Sequence, residues 1–250
     1  LTPKPPPPTV ALAQNPPNAS PSGYDGNLEL LPDFLGFERY GCGLFFGMGL
    51  YDRLVLPRLL DFCMGVPLLD QERRACLSGA HGKVLEVGFG TGRNLPFYPA
   101  GVERVVAVDP SRESAKLAQR RIAAAPFPVD YVPLEGERIA APDHSFDCVV
   151  STFTLCSIPD PTAALRQIRR VLKPGGKLLF AEHGLAPDAG VQRWQHRLNG
   201  LQNLLFGGCN LDRDVRGLVR GAGFDLEEVE QYYVPRVPRF AGFLTRGSAG

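Results

Sequence analysis

Apolar positions along this 250-residue chain change their period part-way. Over residues 24–80 they recur at helical spacing. "YDRLVLPRLLDF" places Leu54, Leu56, Leu59, Leu60 and Phe62 at near-helical intervals, with Pro57 as a kink or a boundary. "PLLDQERRACLSG" opens on proline and closes on Gly79, the usual asymmetry of helix ends. From residue 83 short runs rich in Val and Leu take over: "KVLEVG", "RVVAVD", "PVDYVPL", "FDCVVST" and "KLLFAEH". These read as buried strands. Helical stretches are predicted between the first and second, the second and third, and the fourth and fifth. "SRESAKLAQRRIAA", capped by Ser111, and "TAALRQIRRVL", capped by Thr162, are two of them. Strands alternating with helices make parallel strands with right-handed crossovers and helices on both faces. A long helix to about Phe206 and another near 212–222 follow. "FDLEEVEQYYV" and "RFAGFLTRG" read as two closing strands, joined by a turn at Pro235 to Pro238, that add an antiparallel hairpin.

Three segments are therefore expected. Residues 1–23 are rich in Pro, Asn and Ser and cannot bury enough apolar surface to offset ordering entropy, so they read as a disordered tail. Residues 24–80 form an N-terminal helical cap, and 81–250 an α/β domain. The fold class is a Rossmann-like, doubly wound, seven-stranded and mostly parallel sheet with an antiparallel last strand.

Composition narrows the partners. A formal net charge of +1 offers no basic footprint, so no nucleic-acid partner is expected. The six cysteines (Cys42, Cys63, Cys76, Cys148, Cys156, Cys209) include no CxxC pair. A site built on Cys156 and Cys209 would need a third ligand that spacing does not reveal, and no metal is expected. Reduced thiols and the lack of a basic start followed by an apolar core point to the cytoplasm. The longest uncharged apolar-rich run, Tyr40 to Tyr51, is too short to span a bilayer. Peripheral contact of the front segment with a membrane stays open, with core helix as the plainer reading. The oligomeric state is not legible.

The chemistry starts at "KVLEVGFGTGRN". Gly88, Gly90 and Gly92 end the first strand, where an open parallel sheet binds ligands and where missing side chains let the backbone approach one. A dinucleotide fingerprint needs its third glycine at residue 93, which is arginine here. Glu86 beside the loop would repel a pyrophosphate and favour a cationic group. S-adenosylmethionine carries such a group, an ammonium close to a sulfonium. Its ribose diol needs a bidentate acceptor, and Asp109 closes the second strand.

"VLEVGFGTG", "VVAVDPS", "GERIAAPDHSFDCVVS" and "VLKPGGKLLF" together resemble the successive motifs of class I S-adenosylmethionine-dependent methyltransferases over about residues 82–183. The resemblance implies that Phe89 and Gly90 border the methionine moiety and that Pro110 and Ser111 flank the adenosine. It places Glu135, Gly136 and Glu137 beside adenine and adds Thr154 to the cofactor contacts. "TFTLCSIPDP", "AEHGLAP" and "LLFGGCN" resemble more narrowly the methyltransferase-like seven group, which includes membrane-associated alkyl-thiol methyltransferases. The front of the chain departs from that group, since a Pro-rich tail stands where its apolar anchor would be.

A small-molecule acceptor is expected over the tips of the fourth and fifth strands. Cys156, Ser157, Glu182, His183, Cys209 and Asn210 are the candidates there. His183, Glu182 and Cys156 form the catalytic set, with His183 as base or orienting donor. Both cysteines read more readily as pocket walls than as nucleophiles. Trp194, Phe206, Tyr232 and Tyr233 suit an apolar lid or the core. A thiol is the first-choice acceptor, and a quinol or an ethanolamine phospholipid the alternative. A nicotinamide-dependent oxidoreductase and a silent S-adenosylmethionine-binding protein are more distant readings.

Overall fold

The computed structural model describes Gly49 and residues 51–132, 134–135 and 138–250. The expected tail (1–23), most of the front of the cap, and Gly136 and Glu137 lie outside these residues.

Seven strands form the main sheet: β1 (Gly82–Val87), β2 (Val102–Val108), β3 (Val129–Tyr131), β6 (Phe146–Thr152), β7 (Leu172–His183), β8 (Leu226–Tyr233) and β9 (Phe243–Ala249). A two-residue hairpin, β4 (Leu134–Glu135) and β5 (Arg138–Ile139), stands apart. The strand order is β3-β2-β1-β6-β7-β9-β8. β9 runs antiparallel to both neighbours, and the other pairings in the main sheet are parallel. The expected sheet, with its reversed last strand, is the observed one.

The alternation of side chains explains why the sheet is covered on both faces. Leu85 and Val87 of β1, Val149 of β6, and Leu178 and Phe180 of β7 join one core cluster. Their neighbours Val84, Cys148, Val150, Leu179 and Ala181 join a second. Period-two alternation puts them on opposite faces.

Six α-helices complete the described fold: α1 (Leu56–Cys63), α2 (Pro67–Leu77), α3 (Arg112–Ala124), α4 (Pro161–Val171), α5 (Ala189–Leu205) and α6 (Val215–Gly221). Pro57 sits in the first turn of α1 after a π-helical turn at Tyr51–Val55, so it is a boundary and not a kink. α4 sends Leu165, Ile168 and Val171 into the first cluster. α2 sends Cys76 and Leu77 into the second.

Two local expectations need correction. No α-helix joins β1 to β2; a single 3-10 turn at Leu95–Phe97 does. Pro96, Pro99 and Gly101 crowd that connection and deny it a full helical ladder. The cap of α4 is Asp160, whose side chain accepts from the Ala163 N–H, and not Thr162. Pro161 then occupies the first turn, where a missing N–H costs nothing.

Candidate active site

The strand order reverses at β1, which has β2 on one side and β6 on the other. Beyond that point the carboxyl ends of β1, β2, β6 and β7 bring together Gly88, Asp109, Thr154 and His183. This is the crevice in which an open α/β sheet binds its ligand.

Gly88, Gly90 and Gly92 all adopt positive φ, at +75°, +56° and +73°. Gly88 is the most constrained. A Cβ there would stand 2.1 Å from Thr154 Oγ1 and 2.2 Å from its Cγ2. The Thr154 side chain is thus packed directly on the loop, and its hydroxyl donates to the Thr152 carbonyl at 3.0 Å. Gly88→Ala is therefore expected to displace Thr154 and to weaken cofactor binding at least roughly tenfold. Gly175 gives the control, having φ +78° and nothing within 4 Å of where a Cβ would stand. Gly175→Ala should cost only the left-handed backbone strain, roughly 1–2 kcal/mol, with unchanged affinity. Equal dissociation constants for the two variants would show that the Thr154 contact is irrelevant to binding.

Asp109 ties the glycine loop to the start of α3. One carboxylate oxygen accepts the Gly90 N–H and the other the Ser111 N–H, each at 2.7 Å. Burial pushes this carboxyl up, and the two backbone donors work against that. Each oxygen keeps a further lone pair free to accept another hydrogen bond. Ser111 in turn caps α3 by accepting the Ser114 N–H, and Pro110 is exposed beside it.

Glu86 is no free acid at the loop's mouth. It is 1% exposed. Oε1 accepts from Asn94 Nδ2 at 2.9 Å and Oε2 from Tyr98 at 2.7 Å. Burial pushes its carboxyl up to about 8, although the Tyr98 and Asn94 hydrogen bonds oppose the rise. Phe89 also differs from expectation. Its ring is buried and packs edge-on against Tyr131 at 5.5 Å, so its side chain supports the loop from within the core. Glu135 pairs with Arg138 across the small hairpin, and its companions Gly136 and Glu137 lie outside the described residues.

A second support reaches the loop from α1. Asp61 accepts from the Thr91 hydroxyl, and it pairs with Arg93 at 3.0 Å and Arg121 at 3.1 Å. Arg121 also donates to the Thr91 carbonyl at 2.8 Å. Burial alone would raise the Asp61 carboxyl, but the Thr91, Arg93 and Arg121 contacts hold it below its usual range. Sequence reasoning misses this set. Asp61 and Thr91 are 30 residues apart, and no local pattern links them.

At the ends of β6 and β7 the acceptor candidates separate into two kinds. Glu182, expected to be catalytic, is fully buried. It accepts from Ser151 Oγ at 2.9 Å and from the Thr154 N–H at 3.0 Å, so it positions the turn after β6. Cys156, His183 and Cys209 converge instead, with Cys209 Sγ 3.2 Å from His183 Nε2 and 3.8 Å from Cys156 Sγ. The hydrogen bond to Cys156 and burial hold the Cys209 thiol above its ordinary range. Asn210 clamps this arrangement: its backbone N–H and Nδ2 both donate to the Cys156 carbonyl at 2.9 Å. Arg213 donates from Nη1 to the Leu155 and Ile158 carbonyls.

The aromatic candidates do not form one lid. Trp194 is 56% exposed on α5. Tyr232 donates to Glu72 on α2, and Tyr233 donates to Asp188 before α5.

A methyltransferase-domain family profile matches residues 85–180. The thiol S-methyltransferase TMT1A of Homo sapiens is 37% identical over 166 residues, covering 63% of this chain and 67% of that protein. TMT1B of Homo sapiens, also a thiol S-methyltransferase, is 36% identical over 171 residues, covering 64% and 67%. In structure, an S-adenosylmethionine-dependent methyltransferase from Thermotoga maritima superposes with a TM-score of 0.58 at 21% identity, over 81% of this chain and 99% of the other. The glycine loop, the Asp109 clasp and the reversed last strand agree with these relationships. The chain belongs to the class I S-adenosylmethionine-dependent methyltransferases.

Proposed function

We propose that this enzyme moves the methyl group of S-adenosylmethionine to the sulfur of a small, largely apolar thiol. The carrying observation is the set of groups at the ends of β6 and β7. The acid there, Glu182, is locked inside by Ser151 and Thr154. The half-buried group is His183, flanked by two buried thiols. Arg213, the nearest arginine in sequence to Cys209, braces the turn around Cys156 by donating to the Leu155 and Ile158 carbonyls. An uncharged acceptor suits these surroundings. A thiolate is a strong nucleophile for carbon, and a cysteine-like thiol titrates near 8.5 against about 10 for a phenol, so little help is needed to ionise it. Similarity to TMT1A and TMT1B supports the same choice.

The reaction is an in-line displacement at the sulfonium methyl. The cofactor is already activated and supplies the methyl group. The protein contributes alignment and exclusion of water, which together supply roughly 7–11 kcal/mol. Asp109 and the glycine loop fix the nucleoside end, while the turn from Thr154 to Cys156 carries the acceptor side.

The test is competitive. Purified protein receives equal concentrations of an alkyl thiol, a demethylated quinol and an ethanolamine phospholipid with labelled cofactor. A labelled thioether is the expected major product. Methylated lipid or quinone without thioether would sink the thiol assignment and leave the methyltransferase class intact.

A further inference from the structure

Cys156, His183 and Cys209 come from three separate segments. They follow β6, end β7 and lie in the loop after α5. Their ligand atoms all lie within 4.8 Å of one another. Among the described residues no other three Cys, His, Asp or Glu side chains form such a group. His183 is the third ligand that spacing did not reveal.

The geometry suits a soft divalent cation. Two sulfurs bound tetrahedrally at about 2.3 Å from zinc stand about 3.8 Å apart. Cys156 and Cys209 have that separation before any metal enters. Two thiolates and an imidazole also form a donor set that zinc accepts, and three protein ligands leave a fourth position free. We propose that Cys156, His183 and Cys209 bind one Zn²⁺ and leave its fourth position open to the sulfur of the thiol acceptor.

Two of the three ligands, His183 and Cys156, are held by bonds that metal binding would not disturb. His183 is in register with Leu244 of β9. Cys156 is fixed through its carbonyl by Asn210. The turn around Cys156 is held by Arg213. The two cysteines are buried and His183 is half-buried.

This role rests on the thiol reading above and deepens it. Metal loading displaces the protons of Cys156 and Cys209 to solvent. An acceptor thiol then coordinates and releases its own proton, because a coordinating thiol is deprotonated outright. Its sulfur lone pair attacks the methyl carbon, and a new sulfur–carbon bond forms. The bond between that carbon and the sulfonium sulfur breaks, its electron pair staying on the cofactor sulfur. The products are a thioether and S-adenosylhomocysteine, and zinc keeps its oxidation state.

The experiment uses the full chain purified with zinc under reducing conditions. Elemental analysis should find one zinc per chain, and a Co²⁺-exchanged sample should show sulfur-to-metal charge-transfer absorption. Both should be lost in Cys156→Ser and Cys209→Ser and kept in Cys63→Ser. Where a cysteine variant fails to fold, His183→Gln provides the second variant. An alkyl thiol added without S-adenosylmethionine should shift the cobalt ligand-field bands. Chelation should lower thioether formation at least tenfold, with zinc restoring it. Substoichiometric metal, metal retained in the cysteine variants, or cobalt bands indifferent to thiol would each overturn the site. Full thioether formation by metal-free protein overturns the metal site and leaves the thiol reading standing. Methylated lipid or quinone without thioether overturns the thiol reading, and the role of the open position with it.

Discussion

Glu86→Gln is expected to make the protein more stable at pH 8 and to flatten the pH dependence of its stability. The Glu86 carboxyl is buried, and burial pushes it up to about 8 from an ordinary 4.5. The native state therefore binds more protons at this site than the unfolded chain does. Stability from this group is complete below the unfolded value and is lost as pH rises through the folded one. Between pH 5 and 8 that loss is on the order of 3 kcal/mol, at 1.36 kcal/mol per unit. Glutamine cannot ionise, and the site can accept it. The Tyr98 hydroxyl can donate or accept, so either end of the amide finds a partner there or at Asn94. Urea unfolding at pH 5 and pH 8 should show a flatter pH profile in the variant, with a gain of about 2 kcal/mol at pH 8. An unaltered pH profile would show that Glu86 is ionised in the native protein throughout this range.

Asp109→Ala is expected to abolish tight cofactor binding. Its two oxygens hold the Gly90 and Ser111 N–H groups at 2.7 Å, so the alanine variant leaves two backbone donors without their acceptor. Hydrogen bonds to a charged group are worth roughly 1.5–3 kcal/mol each. Affinity should fall at least tenfold even if only one such bond to the ribose is lost. Asp109→Asn separates loop support from ribose binding. The amide can accept from one of the two N–H groups but presents a donor to the other. It should lie between wild type and alanine in both urea midpoint and affinity. Calorimetric dissociation constants for S-adenosylhomocysteine read the outcome, and an unchanged value for Asp109→Ala would remove this residue from the site.

The two-sided core, the alternation of strands with helices and the position of the glycine loop follow from local regularities. The period of apolar residues changes from helical to alternating near residue 83, and the central strands β1, β2, β6 and β7 carry apolar residues at positions that face both layers. Such patterns survive in the linear sequence because side-chain direction repeats with the backbone. The glycine spacing was legible for the same reason. Each of the three glycines takes a left-handed φ that other residues rarely adopt.

What the linear pattern could not show were pairings between distant segments. Nothing near Glu86 marks it as the centre of a buried bond network, because Asn94 and Tyr98 reach it only once the chain turns without a helix after β1. Glu182 and His183 are adjacent and equally polar in sequence. The strand pleat separates them, sending the acid to Ser151 and Thr154 and the imidazole to Cys209. Asp61 on α1 meets Thr91, Arg93 and Arg121 through tertiary packing alone. Cys156 and Cys209, 53 residues apart, are joined by the Asn210 clamp. The sequence by itself determined the fold class, the place of the glycine loop and the candidate residues, since each depends on neighbours a few positions away. Only the tertiary structure decided which acids are buried, which residues support the loop and which three side chains share one point, since those depend on how separate strands and helices pack.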